Sequence, residues 1–238
     1  MAMMRTLRAQ AAEELRGVLT KDYRVGERLP PEAEMAKRMG LSRNTVREAI
    51  AELVMEGRLD RKWGVGTTVL EPRRPATFSA TDVGPIRDII RASGHTPGLG
   101  RFRAEMLVPP SEVADALGVS EGESVWYVER LFVIDDVPAV LLRDWCLTRI
   151  NGTAVDVSSL KEVDIDLISL IRDQTGQALR RLEGRIDAMP APEDFIPDRR
   201  PVVQISQSCL TGDDVTLIYS TIQFDTSVVD LTIRRVFA

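Results

Sequence analysis

Histidine is almost missing from this 238-residue chain, which has His95 alone, and cysteine is limited to Cys146 and Cys209. So few ligands give no Cys/His zinc pattern, and two widely separated cysteines give no disulfide framework, so reduced thiols in a cytosol are expected. Long hydrophobic runs are missing too. No stretch approaches the ~20 apolar residues that cross a bilayer. Met1-Ala2-Met3-Met4-Arg5 leads into a polar, amphipathic segment instead of the apolar core of a signal peptide. A cytoplasmic protein is expected, neither exported nor embedded. Catalytic constellations are equally scarce, because any Cys–His pairing would rest on one histidine and the carboxylates form no recognisable motif. No enzyme activity, metal or cofactor is expected. Gly64-x-Gly66 lacks the third glycine of a nucleotide-binding loop and reads better as a hairpin turn.

What is present is an ordinary globular composition, 44% hydrophobic and 28% charged, in a chain long enough for one or two domains. The net charge of −5 conceals an asymmetry. Residues 1–74 hold 15 Lys and Arg against 11 Asp and Glu, a balance of +4, and residues 75–238 hold 16 against 25, a balance of −9. A basic module suits phosphate contact, and an acidic remainder is repelled by a duplex.

In the basic part, Leu7, Ala11, Leu15, Val18 and Leu19 recur at helical spacing and predict a helix over 6–20. Pro31 suits the first position of a second helix that runs to about Met39, where Gly40 supplies the stop. Ser42 then caps a third helix from Arg43, its hydroxyl accepting from the Thr45 N–H. Val46, Ala49, Ile50 and Leu53 form that helix's apolar stripe and leave Arg43, Asn44 and Arg47 pointing outward, where Arg43 and Arg47 either enter a groove or pair with Glu48 or Glu32 on a solvated face. Helix, short turn and helix is the arrangement whose second helix enters a major groove. Residues 59–69 follow as a β-hairpin with a basic, glycine-rich tip, and Trp63 either packs beneath it or touches a nucleic-acid backbone.

The stretches Val25-Gly26-Glu27-Arg28-Leu29-Pro30, Leu41-Ser42-Arg43-Asn44-Thr45-Val46-Arg47-Glu48-Ala49, Glu56-Gly57 and Gly64-Val65-Gly66-Thr67 resemble the winged helix-turn-helix of GntR-family bacterial repressors. The resemblance implies double-stranded DNA as partner. It implies base or phosphate contacts from Arg43 and Arg47, with Asn44 beside them, phosphate positioning by Ser42 and Thr45, and close approach of the wing at Gly64. Ala33 stands where family members often carry a DNA-contacting Arg, which shifts the expected operator preference.

Pro72, Pro75 and Arg73-Arg74 interrupt both periodicities, so the expected division is a DNA-binding domain at 1–70, a linker at 71–82 and a second domain at 83–238. The second domain reads as helices near 85–93, 110–117 and 164–175, with strands near 100–108, 178–189, 201–211, 214–225 and 229–237 and a strand pair that runs from Trp126 to Ile134 and returns through Val140, Leu142 and Cys146. Asp135-Asp136 and Gly212-Asp213-Asp214 supply hairpin turns. Ile218, Ser220, Ile222 and Phe224 fall on one face of their strand. The fold class is α+β, a winged helix-turn-helix followed by an antiparallel sheet with flanking helices.

Gly94-His95-Thr96-Pro97, Ala116-Leu117-Gly118-Val119, Val128-Glu129-Arg130-Leu131 and Tyr219-Ser220 resemble the UTRA effector domain of the HutC branch of GntR regulators, whose fold is similar to chorismate lyase. The resemblance implies a small-molecule effector held against the sheet by the N-terminus of the first helix and by strand side chains, with Arg87, Arg130, Arg143 and Tyr219 as the expected contacts. Arg130 sits between apolar neighbours, where a lone cation is costly, so it requires either an acidic partner or an anionic ligand. Phe132, Arg143 and Ile218 depart from the pattern of sugar-phosphate sensors and point to a smaller or more apolar anion. The whole implies a homodimer on a palindromic operator, released by a metabolite.

Overall fold

The computed structural model describes residues 7–55, 57–62, 66–70, 75–80 and 84–233. The chain forms two compact units that divide between Arg74 and Pro75.

The first unit holds helices α1 (Leu7–Asp22), α2 (Glu32–Met39) and α3 (Arg43–Met55) and strands β1 (Leu59–Lys62) and β2 (Gly66–Val69). The predicted stripes meet in its core. Ala11, Leu15 and Leu19 of α1 pack with Met35 of α2 and with Val46, Ala49, Ile50 and Leu53 of α3, and Leu59 and Val69 close the cluster from the hairpin. Pro31 lies one residue outside α2, at its N-cap, where its carbonyl accepts from the N–H groups of Glu34 and Met35. Gly40 ends α2 at φ +65, a left-handed conformation that glycine adopts without Cβ strain. β1 and β2 pair antiparallel from Leu59↔Val69 to Lys62↔Gly66. The segment before α2 joins them, with Gly26 N–H donating to Val69 O and Leu29 N–H to Thr67 O. Trp63 and Gly64 lie outside the described residues.

The second unit contains β3 (Ala76–Ser79), α4 (Ile86–Ala92), β4 (Pro97–Leu107), α5 (Ser111–Leu117), β5 (Val125–Ile134), β6 (Val137–Cys146), the short pair β7 (Arg149–Ile150) and β8 (Thr153–Ala154), α6 (Leu167–Thr175), β9 (Leu179–Pro190), β10 (Pro201–Thr211), β11 (Thr216–Phe224) and β12 (Val229–Thr232). Six strands form an antiparallel sheet in the order β4-β5-β6-β11-β10-β9. Asp135 and Asp136 turn the β5–β6 hairpin with φ +48 and +67, the two positive values a tight two-residue loop requires.

β5 and β6 are buried on both faces, because elements pack on each side of the sheet. One face carries α4 and α6. The other carries α5, whose Val113 and Leu117 meet Trp145 and Tyr219, and the 191–196 turn, whose Phe195 and Ile196 meet Leu131 and Leu141.

The segment expected to be linker, 71–82, contains a strand. β3 pairs in parallel with β12, Ala76 opposite Val229, and Phe78 is buried edge-on against Phe224 with ring centroids 5.3 Å apart. Ala76 and Phe78 alternate with Thr77 and Ser79, but the prolines before them obscure four residues of period two. The last strand is shorter than expected, Val229–Thr232, and residues 234–238 lie outside the described residues.

Candidate nucleic-acid interface and effector cavity

In the first unit, Ser42 Oγ accepts from Thr45 N–H at 3.1 Å and lies 2.7 Å from Thr45 Oγ1, so the cap starts α3 at the expected residue. The first two turns of α3 then present Arg43, Asn44 and Arg47 outward. Asn44 Nδ2 donates to Glu48 Oε1 at 3.1 Å. Arg43 Nε and Arg47 Nε lie 3.6 and 3.1 Å from Glu32 Oε2, and Arg61 Nη2 of β1 lies 2.9 Å from Glu32 Oε1. The three arginine side chains are 66, 48 and 46% exposed, whereas Glu32 is 15% exposed. One sheltered carboxylate therefore gathers three accessible guanidinium groups from two elements, α3 and β1. Such exposed pairs contribute little to stability, and their geometry leaves donors for phosphate or guanine edges. Arg61 was not singled out from the sequence. No spacing marked it, because its link to Glu32 joins β1 to α2 across the fold. Gly64 lies outside the described residues.

In the second unit a cavity of about 240 Å³ opens between the sheet and the starts of α4 and α6. Its floor is Arg130 and Phe132 of β5, Leu142 and Asp144 of β6, Ser220 and Ile222 of β11, and its rim includes Arg87 and Ser169. Arg130 is held by Asp144 Oδ2 at 3.2 Å and by the Ile165 carbonyl at 3.0 Å, and its guanidinium lies 5.4 Å from the Phe132 ring centre. The buried Nε of Arg130 has no hydrogen-bond partner among the described residues. Asp144 also accepts from Ser220 O–H at 2.6 Å. Burial nevertheless pushes its carboxyl above the usual range, against the pull of Arg130 and Ser220.

Arg87 reaches across the cavity mouth. Its two Nη atoms lie 3.4 Å from Asp166 Oδ2, the long end of hydrogen-bond range. Asp166 is the N-cap of α6, its Oδ1 accepting from Ser169 N–H at 2.8 Å. The helix terminus facing the cavity is thus already served by its own carboxylate.

Arg143 and Tyr219 are elsewhere, which corrects the expected grouping. Arg143 pairs across the strands with Glu129 and Thr221, on the face opposite the cavity, and Arg130 pairs with Leu142 on the cavity side. Arg143 Nε donates to Glu129 Oε2 at 2.8 Å, Tyr127 O–H donates to the same oxygen at 3.0 Å, and Arg101 Nε lies 2.9 Å from Oε1. Burial raises the Glu129 carboxyl, but Arg143, Tyr127 and Arg101 together hold it below its ordinary value. Burial and that carboxylate push the Tyr127 phenol up to about 12. Tyr219 donates to Glu112 Oε1 of α5 at 2.9 Å. The physical reason is period two, since a one-residue step along a strand changes the face. Ser220 and Asp144, adjacent to the two chosen residues, share the face of Ile222 and Leu142.

The lone histidine is tied to the β5–β6 turn, its Nδ1 2.8 Å from Asp135 Oδ2, with Thr96 N–H donating to Asp135 Oδ1 at 2.9 Å. Cys146 and Cys209 are both buried. Among the described residues, no group of three or more His, Cys, Asp or Glu is placed to hold a metal, and no helix is long and apolar enough to cross a membrane.

A winged helix-turn-helix on one unit and a cavity-bearing antiparallel sheet on the other define a DNA-binding transcriptional regulator with an effector domain. The chain belongs to the GntR family of bacterial regulatory proteins, whose model matches residues 7–69, and the UTRA-domain model matches residues 92–229. It is 32% identical over 186 residues to the probable transcriptional regulator PhnF of Escherichia coli K12, covering 76% of this chain and 73% of that one. It is 35% identical over 116 residues to a histidine utilization repressor of Pseudomonas aeruginosa, covering 47% of this chain and 44% of that one. Its fold is similar to that of PhnF from Mycobacterium smegmatis, with a TM-score of 0.58 at 24% identity over 94% of this chain and 98% of the other. The family is one of transcription regulators, not enzymes.

Proposed function

We propose that this chain is a homodimeric repressor that grips a palindromic operator through residues 1–70 and is released by a small anionic metabolite bound in the second unit. The observation that carries the DNA reading is the gathering of Arg43, Arg47 and Arg61 at Glu32 with their guanidinium groups accessible. Two such heads related by a two-fold axis match an inverted repeat. Ser42, Asn44 and Thr45 line the same helix start and serve phosphates, and Gly64 would let the wing approach a backbone.

The effector contacts are Arg87 and Arg130, joined by Ser169 and Ser220 in place of Arg143 and Tyr219. Two cations against two carboxylates leave the polar end of the cavity near neutral, and most of the remaining lining is apolar. A singly charged anion with an apolar body fits this better than a doubly charged phosphosugar. The ligand weakens operator binding because it prefers one arrangement of the two heads over the other.

Gel shifts on the promoter region of the chain's own gene test the DNA reading. Arg43→Ala and Arg47→Ala should each lose ~10-fold or more in affinity, on the scale of one good base contact. Unchanged binding in both would overturn it. Thermal-shift screening against carboxylate metabolites tests the effector reading, because a ligand selective for the folded state raises Tm. Ligands that stabilise the wild type but not Arg130→Met are the expected hits.

A further inference from the structure

β9 is the last strand of the six-stranded sheet, and one of its edges has no strand beside it among the described residues. It runs 12 residues, and from Glu183 to Ala188 every residue is exposed, with Ile186 at 51%. Long regular edges of this kind invite another strand, and proteins usually blunt them with bulges, prolines or inward charges. The opposite edge, β4, is blunted: it starts at Pro97 and its register breaks between Leu99 and Arg101. β9 is blunted only at its ends, by a register break between Leu179 and Arg181 and by Pro190, and between them its pairing with β10 runs unbroken from Arg181↔Leu210 to Met189↔Val202.

The order of residues along β9 is self-complementary. We propose that β9 pairs antiparallel with β9 of a second copy of this chain, about a two-fold axis through Gly184; this rests on the homodimer reading above and names its seam. In that register Arg185 stands opposite the partner's Glu183, and Arg181 opposite the partner's Asp187. On the other face Leu182 stands opposite the partner's Ile186. Symmetry repeats each pair, so every charge from 181 to 187 meets its opposite, and the two apolar side chains flanking the axis meet each other. Neighbouring registers that keep the faces matched fail: an axis through Glu183 sets Arg181 against Arg185, and one through Arg185 sets Glu183 against Asp187. Like charges directly opposite are destabilising.

The central glycine fits the role. A Cβ at Gly184 would lie 2.4 Å from Ser206 O, so β9 presses closely on β10 there. At the axis, where a residue faces its own copy, glycine sets neither charge nor bulk against itself. Within one chain Arg185 already rests on Asp187 and Glu112, and Arg181 on Glu183 and Asp214, so the charges lie on one face of the strand, ready to be shared across the seam.

Cross-linking and dissociation constants of the full chain test the register. Leu182→Cys with Ile186→Cys places two thiols about 13 Å apart along one strand, too far to bridge within it, but opposite each other across the seam. The native cysteines are buried and stay out of the reaction. Oxidation should give a covalent dimer from the double variant and at least ~10-fold less from either single variant. Arg185→Glu should raise the dimer dissociation constant ~10-fold or more, and adding Glu183→Arg should restore it to within about threefold, since the pair is only exchanged. A structural role through Asp187 would not be rescued, because the second change leaves the introduced carboxylate beside Asp187. A wild-type dimer indifferent to Arg185→Glu, or equal cross-linking through single cysteines, overturns the seam and leaves the homodimer standing. A wild-type chain that sediments as a monomer at all concentrations overturns both.

Discussion

Arg130 and Asp144 meet diagonally across β5 and β6 at 3.2 Å, with side chains only 4 and 5% exposed. Between them they carry the charge at the floor of the effector cavity. Taking both ions out of water is costly, and the pair recovers that cost only while both members remain. Arg130→Ala should therefore destabilise the second unit by about 3–5 kcal/mol, because Asp144 is left buried and uncompensated. Arg130→Met combined with Asp144→Leu should recover most of the loss while abolishing ligand-dependent release from DNA. Urea denaturation followed by Trp126 and Trp145 fluorescence, in a Trp63→Phe background, measures both. Equal stabilities for the single and double variants would contradict the pairing.

Cysteine reactivity offers a probe of the cavity itself. Cys209 lines it and Cys146 does not. Burial raises both thiols, Cys209 to about 12 from an ordinary 9.0. Because the thiolate is the reactive form, alkylation at pH 8 should be at least ~100-fold slower than for a free thiol. Modification of Cys209 should slow further when the effector is bound, with Cys146 as the internal control. Mass spectrometry of alkylated peptides over time reads both sites. Rapid labelling of Cys209 in the ligand-bound chain would place the ligand elsewhere.

The reading head was legible because its signals are local. Gly40, Ser42 and the stripe from Val46 to Leu53 each act within one or two helical turns, and they lie where spacing alone put them. The sheet was harder to read. Its strands were found to within about three residues, but β5 and β6 are apolar on both faces, so hydrophobic alternation could not say which face Arg143 joins. The parity of Ile218, Ser220 and Ile222 was visible and excluded Tyr219 from that face. Glu32 illustrates a different limit. Its pairing with Arg43 and Arg47 was one of the alternatives the sequence offered, but no spacing brings Arg61 of β1 to the same carboxylate.

On the far face of the sheet, Glu129 is a stabilising ion at neutral pH. Arg143, Tyr127 and Arg101 hold its carboxyl below the ordinary 4.5 despite burial. A depressed acid binds fewer protons in the folded state than in the unfolded one. Its contribution is complete above 4.5 and is lost as the pH falls through the lower folded value. Glu129→Gln should lower stability at pH 7 and flatten the acid limb of the stability profile below pH ~4.5. Denaturation midpoints across the acid-to-neutral range test this, and parallel wild-type and variant curves through the acid limb would refute it.

Glu32 sets a competition in the reading head. Its carboxylate accepts from Arg47 and Arg61 and neighbours Arg43, so it aims three guanidinium groups while neutralising one of three positive charges. Glu32→Gln removes the charge and keeps the size. Random-sequence duplex should bind ~3–10-fold more tightly, because phosphate attraction no longer competes with the carboxylate, and the salt dependence should steepen by about one ion. Specific binding should gain less or fall, because the arginines lose the acceptor that orients them toward base edges. The ratio of specific to non-specific affinity therefore drops. Fluorescence anisotropy with operator and scrambled duplexes between about 50 and 300 mM salt separates the two contributions. An unchanged ratio would mean that Glu32 is a bystander and that the arginines find their places on DNA without it.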